Sequence, residues 1–467
     1  MLMTLIQKEI RHHILSVRFV ALLLMCLLLV PLTLSTNYRN YRQNLVDYQE
    51  AVKLANIEEA TMNTGMSLDP GLEVSKIFLK PPPLSVFANG LADVLPGYLG
   101  MTRNGITQGA PALASSLSYL LGHLDFLFVV GTVFSLLALL FTFDAVAGER
   151  EAGTLRITLA NALPRDLFLW SKLIGGYVVF VVPFLVSLLF GLLILVWQGF
   201  PLGEPEIFPR VLGLTLISLL YIGVFFAIGT VISTYLDNSK TALIIAFTVW
   251  VFAVLITPRI GFLAAKLIAP ARTSQSLYME KAAMRDDFNA ALEKEKQEIT
   301  NNEAPLDERG RRTIGGEVAR KIGERMKPFE AEYRSKFQNR ANQLDRDYKR
   351  EIERQEELGE MLSRITPTSS LIYITTNLTQ TGKAKRSTYF QMGDRYYNAL
   401  YTALFSKVID HTYHRQHRPV KITQPPPLET TTLAETLRQS MVDLLLLCFF
   451  AVVLTTVAFL KFFRSDV

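Results

Sequence analysis

Six stretches of roughly 20 predominantly apolar residues punctuate this chain, at 14–34, 124–143, 173–197, 211–233, 241–257 and 442–460. At a rise of 1.5 Å per residue, a helix of that length crosses ~30 Å of hydrocarbon. The pattern predicts an all-α membrane protein with six transmembrane helices. The first run is long, and Thr36-Asn37-Tyr38-Arg39 follow it instead of a small-x-small cleavage site, so it reads as a retained helix. Before it, residues 1–15 place Leu2, Leu5, Ile6, Ile10 and Ile14 on one helical face, with Lys8, Glu9 and Arg11 off it. That predicts an amphipathic helix lying in the interface plane; an extension of the first span is the alternative.

Two long polar segments interrupt the spans. The first, 35–123, begins charged and helical at 38–60. It then turns irregular around Asp69-Pro70-Gly71 and Pro81-Pro82-Pro83. Stretches 88–99 and 106–120 are moderately apolar and are expected to pack near the membrane surface. In the second, 259–441, Val318, Ile322, Met326, Phe329, Tyr333, Phe337, Ala341, Leu344, Tyr348 and Ile352 recur at steps of three or four among charged residues. This predicts a solvated helix of about 40 residues, ~60 Å long, with Pro328 kinking or breaking it. A partner helix at 277–299, with Met284, Phe288, Ala291 and Leu292, joins it through 301–316, where Pro305, Gly310, Gly315 and Gly316 permit a turn. The resulting hairpin, about 277–358, reads either as a stalk or as an element reaching for substrate or a partner protein. Pro425-Pro426-Pro427 reads as a stiff linker to the last span.

Lys and Arg in short flanks resist translocation. They occur at Lys8, Arg11 and Arg18, at Arg150, Arg156, Arg165 and Lys172, at Lys240, and at Lys461 and Arg464. The short loop 198–209 carries Glu204 and Glu206 but no Lys or Arg. Six spans with both termini cytoplasmic satisfy this distribution, with both polar segments extracytoplasmic. Half of the 467 residues are apolar, which fits a membrane protein. The net charge of +6 is too mild and dispersed to argue for nucleic acid. Cys26 and Cys448 both fall in predicted spans and give no disulfide framework.

Candidate chemistry is sparse. Gly382-Lys383 lacks the upstream glycine of a phosphate loop, and neither His-Glu-x-x-His nor Cys-x-x-Cys occurs. The chain is therefore expected not to be an enzyme and to hold no cofactor of its own. His411, His414 and His417 could line one helical face as metal ligands. Against this, Pro419 is close and no acidic or thiol ligand follows, so a solvated basic strip is the preferred reading. Ionisable residues within the spans are few, with Asp125, Asp144 and Asp443 at their ends. That disfavours an ion-coupled carrier. Small residues such as Gly131, Gly176, Gly191, Gly213, Gly223 and Gly229 suit close helix packing.

The loop 144–172 carries Gly148-Glu149-Arg150-Glu151-x-Gly153-Thr154-Leu155, then Pro164-Arg165 and Lys172. In isolation it could be a solvated turn. Between the second and third of six spans it resembles the first cytoplasmic loop of ABC-2 type transporter permeases. Residues 366–397, with a Pro-containing segment, a Thr381-Gly382 turn and an aromatic-rich stretch, loosely resemble the subgroup with large extracytoplasmic domains. The resemblance implies a permease subunit of an ATP-driven exporter, with ATP and Mg held by a partner ABC ATPase present in two copies, and a second permease chain, identical or related. It assigns Gly148, Glu149, Arg150, Glu151, Gly153, Thr154 and Leu155 to contact with that ATPase, in a bacterial inner membrane; Leu155 and Leu159, one turn apart, are expected to fill a groove on the partner. The size of the outer segments favours a lipidic, hydrophobic or envelope-directed substrate. The alternatives are mechanotransmission to an extracytoplasmic protein, or a scaffold or sensor without an ATPase.

Overall fold

The computed structural model describes residues 2–62, 73–92, 94–102, 105–109, 124–160, 164–304, 314–402 and 431–464. Six helices among them are long and apolar enough to cross a membrane: Val17–Ile57, Phe126–Glu151, Arg165–Trp197, Ile207–Tyr235, Ser239–Ile268 and Met441–Arg464. They are the first to sixth spans below. A separate helix, Leu2–Ile14, precedes them. The protein folds as two compact units, one made of residues 1–256 and 366–467, the other of residues 257–365.

In the first unit the second and fourth spans form the centre. Their most apolar windows are 67% and 61% buried, against 33% and 17% for the first and sixth. Exposed leucines and phenylalanines on the outer spans cost nothing where lipid replaces water. The centre is aromatic: Phe134, Phe180, Phe184 and Phe226 meet edge to face at 5.4–6.2 Å, a geometry set by the ring quadrupole. Close approach needs glycine at two places. A Cβ on Gly229 would collide with Thr142, and one on Gly191 would lie 2.8 Å from Leu34. The second span widens into a π-helical turn at Val129–Phe134. The Gly131 carbonyl there accepts from the buried Tyr221 hydroxyl at 2.8 Å and from Ser135 Oγ at 2.6 Å. A polar group in a span is thus satisfied within protein.

The first helix does not stop at the end of its apolar run. It continues as one element, Val17–Met62, 46 residues long. Beyond it lies a sheet that the sequence reading missed. Strands β1 (Ser75–Phe78), β2 (Tyr98–Thr102) and β3 (Gly105–Gln108) are antiparallel in the order β1-β2-β3, with Ile77 opposite Leu99 and Met101 opposite Ile106. Their apolar face packs under helix Lys383–Leu400 through Tyr389, Met392 and Tyr396. The Tyr389 hydroxyl donates to the Ile77 carbonyl at 3.0 Å.

Helix Pro367–Leu378 also belongs to this unit. Leu371, Ile374 and Leu378 join the main core, although the sequence places the helix in a polar segment. Arg210, at the start of the fourth span and 1% exposed, fastens it there. Its guanidinium donates to the Leu378 carbonyl at 3.1 Å, the Thr436 hydroxyl at 3.2 Å and the Thr431 carbonyl, and pairs with Glu206 at 3.3 Å.

The second unit holds helices Thr257–Ile268, Ser274–Glu303 and Gly316–Ser363. The last two pair antiparallel. Lys281 meets Asp345, Phe288 stacks near Phe337, and Ile299 packs with Ile322 and Met326. The long helix runs through Pro328 without a break. At the other end Arg272 forks onto Glu351 at 3.0–3.1 Å, which holds the Glu351 carboxyl below its ordinary range. Gly261 lies so close to Ser363 that a Cβ would sit 2.6 Å from a backbone nitrogen, which cannot yield as a side chain can. Gly261→Leu is therefore expected to destabilise this unit by about 2 kcal/mol through overpacking, read as faster proteolysis within Ser274–Ser363 while the other five spans stay protected. Pro305, Gly310, residues 110–123 and Pro425-Pro426-Pro427 lie outside the described residues.

Candidate functional site

The second span ends in a compact loop. Ala147–Glu151 forms a short helix, Ala152 and Gly153 turn, and Thr154–Ala160 forms a second helix. Gly153 has φ +72°, the left-handed conformation that glycine adopts without a steric penalty. Thr154 Oγ1 donates to the Glu149 carbonyl at 3.2 Å across the turn. At the entrance Ser233 Oγ, from the fourth span, accepts from the amides of Val146 and Ala147 at 2.8 and 3.0 Å. Gly148 faces Asp144 and Ser239 at ordinary contact distance.

The charges of the loop are used inside the chain. Glu149 pairs with Lys172, whose ammonium also binds Glu9 of helix Leu2–Ile14 at 3.0 Å. Side-chain exposures of 10% for Lys172 and 7% for Glu9 make this an interior cluster. Two carboxylates there share one ammonium, and Glu9 Oε2 is buried without a hydrogen-bond partner among the described residues. A Cβ on Gly175 would lie 2.8 Å from Glu9 Cβ, so glycine is what lets the N-terminal helix dock on the third span. His13, on the same helix, stacks on Phe141 at 5.7 Å. Burial lowers its pKa below 6.5, against the pull of Glu9.

Arg150 points the other way. It binds Asp237 at 2.6 Å and the Leu236 carbonyl at 3.3 Å, in the turn between the fourth and fifth spans. Glu151 accepts from the Ser239 amide at 2.9 Å. That amide belongs to the first turn of helix Ser239–Trp250, where the helix dipole favours a carboxylate. Asp144 takes a two-pronged contact from Arg18 of the first span, at 2.9 and 2.7 Å.

The leucines are also turned inward. Leu155, 1% exposed, packs with Val146, Phe168, Leu169, Ala458 and Phe462, and Leu159 lies half-buried against them. Arg165 donates to the Phe463 carbonyl at 2.9 Å. The sixth span thus joins the same knot. Besides the small Thr154 and Ala160, the second loop helix leaves outside two large side chains, Arg156 and Ile157, the latter 67% exposed. These two were not singled out from the sequence. The pattern of Leu155 and Leu159 on one face does imply them on the other.

Among the described residues no three His, Cys, Asp or Glu side chains gather to hold a metal. His411, His414 and His417 lie outside the described residues. The arrangement can instead carry mechanical load, since one short element is tied to the N-terminal helix and to five spans by ion pairs, backbone contacts and packing. A family model described as "ABC-2 family transporter protein" matches residues 3–467. None of the curated proteins compared with the chain matches it significantly. With six apolar helices and a family match over nearly its whole length, this chain belongs to the ABC-2 transporter family as a multi-pass membrane subunit.

Proposed function

We propose that the chain is the permease of an ATP-driven exporter and that the 144–172 loop receives force from a separate ATPase subunit. The observation that supports this most is the wiring of Glu149, Arg150 and Glu151. A solvated turn would leave these charges without partners in the chain. Here they couple the loop to Lys172 and Glu9 on one side and to Asp237 and Ser239 on the other. A push on the loop is thereby shared among the N-terminal helix and the third, fourth and fifth spans. The exposed Arg156 and Ile157 are the contact residues for the ATPase, the charged residue setting register and the apolar one filling a recess.

In this reading both termini and the loop are cytoplasmic, in a bacterial inner membrane. Two permease chains, identical or related, work with two ATPase subunits that hold ATP and Mg. The substrate is lipidic, hydrophobic or envelope-directed, which agrees with spans that bury few charges. A second reading is favoured by the hairpin, whose helices of 30 and 48 residues form a compact unit together with Thr257–Ile268. There the ATPase cycle moves the hairpin against an extracytoplasmic protein and nothing crosses.

The test is the double variant Arg156→Glu, Ile157→Asp. Both side chains are surface-exposed, so thermal unfolding of the chain is expected to stay as in the wild type. Recovery of the co-expressed ATPase on the tagged chain is expected to fall about tenfold or more, the worth of one contact residue of ~1.4 kcal/mol or greater. Undiminished recovery removes these residues from the interface.

A further inference from the structure

The turn between the third and fourth spans carries a shallow groove, open over most of its surface, lined by Val196, Leu202, Gly203, Glu204, Pro205, Phe208 and Pro209. The start of the turn is tied to the first helix. Tyr38 of the first helix packs edge-on against Phe200 at 5.9 Å, and Gln198 donates to Ser35 Oγ at 2.7 Å. The groove sits where two apolar helices end. Next to it Trp197 is 87% exposed, the placement of an indole at a membrane–water interface. Exposed Leu193 and Leu212 continue the apolar surface down the two spans.

One charge lines this surface. The Glu204 carboxylate has no hydrogen-bond or ion-pair partner among the described residues, whereas Glu206, two positions on, is engaged by Arg210 and by the Leu433 amide. A carboxylate at the edge of hydrocarbon gains from a cation that brings its own apolar body. We propose that the groove binds a phospholipid whose headgroup ends in a primary amine, the ammonium donating to Glu204 and an acyl chain lying along Val196, Leu202 and Phe208. An anionic headgroup is repelled by the carboxylate, and a trimethylated amine has no N–H to donate.

The experiment offers the delipidated, detergent-purified chain an equimolar mixture of phosphatidylethanolamine, phosphatidylcholine and phosphatidylglycerol with identical acyl chains, and reads bound lipid by native mass spectrometry. The wild type is expected to retain the ethanolamine lipid roughly tenfold over the glycerol lipid, the worth of one charge-assisted hydrogen bond. Glu204→Gln is expected to abolish that preference. Gly203→Leu places a side chain where no atom lies within 4 Å of the Cβ position, and is expected to lower binding of all three lipids with unchanged thermal unfolding. Equal retention of the three lipids by the wild type overturns the proposal. So does a preference that survives Glu204→Gln, or binding that survives Gly203→Leu.

Discussion

Lys172→Met is expected to separate the N-terminal helix from the loop, at a cost of about 3–5 kcal/mol, the range for breaking a buried ion pair from one side. Methionine keeps most of the lysine stem and removes the ammonium, together with its place 5.6 Å from the Phe168 ring centroid, so the loss isolates the charge. What remains is Glu9 and Glu149, two carboxylates that shared one ammonium and now face one another in the interior. Thermal unfolding of the purified protein reads the loss. The triple variant Glu9→Gln, Lys172→Met, Glu149→Gln removes all three charges and is expected to recover most of the stability, because neutral groups of similar volume leave no unpaired charge behind. Wild-type stability in Lys172→Met would mean that the cluster is held by packing alone.

Leu155→Ala is the second large effect. Its side chain is 1% exposed among residues of the second, third and sixth spans. Truncation there costs about 2–5 kcal/mol, by lost transfer energy and by the cavity left behind. The damage is local, since the helix Thr154–Ala160 is short and has few other anchors. It should therefore appear as sub-global opening, with new protease cleavage in 147–160 and an intact six-span core. In the proposed complex the same variant loses ATPase coupling although no contact residue has changed. Protection equal to the wild type would show that the loop does not depend on this knot.

Much of the architecture was legible in the sequence, for a physical reason. Hydrocarbon imposes a length and an apolarity on each span, and both can be read locally. The stripe from Val318 to Ile352 is similarly local, because a solvated helix needs only one apolar face. The loop was recognisable by its glycines and charges, but their use was not. Glu149 and Glu151 read as a surface for another protein, while in the structure they bind Lys172 and the Ser239 amide. Nothing in the spacing of Glu9, Glu149 and Lys172 says that they meet, since that depends on how separate helices dock.

The sheet was missed on similar grounds. Strands of four or five residues carry too little alternation to be seen, and their apolar face is covered by Tyr389 and Tyr396 from some 300 positions away. Helix Pro367–Leu378 is rich in Thr and Ser and looks peripheral, yet Leu371, Ile374 and Leu378 place it in the main core. Arg210 escaped notice because a single arginine at the start of a span resembles an ordinary flank. Its burial and its bonds to Leu378, Thr431 and Thr436 are tertiary facts.

Purification of the tagged chain in mild detergent, with quantitative mass spectrometry of what remains bound, tests the central claim most directly. The account predicts a nucleotide-binding subunit at one copy per permease, and a cross-link to that subunit from a cysteine placed at position 157. The chain recovered alone across several detergents and with nucleotide added, or a bound ATPase that cross-links elsewhere than this loop, would contradict it.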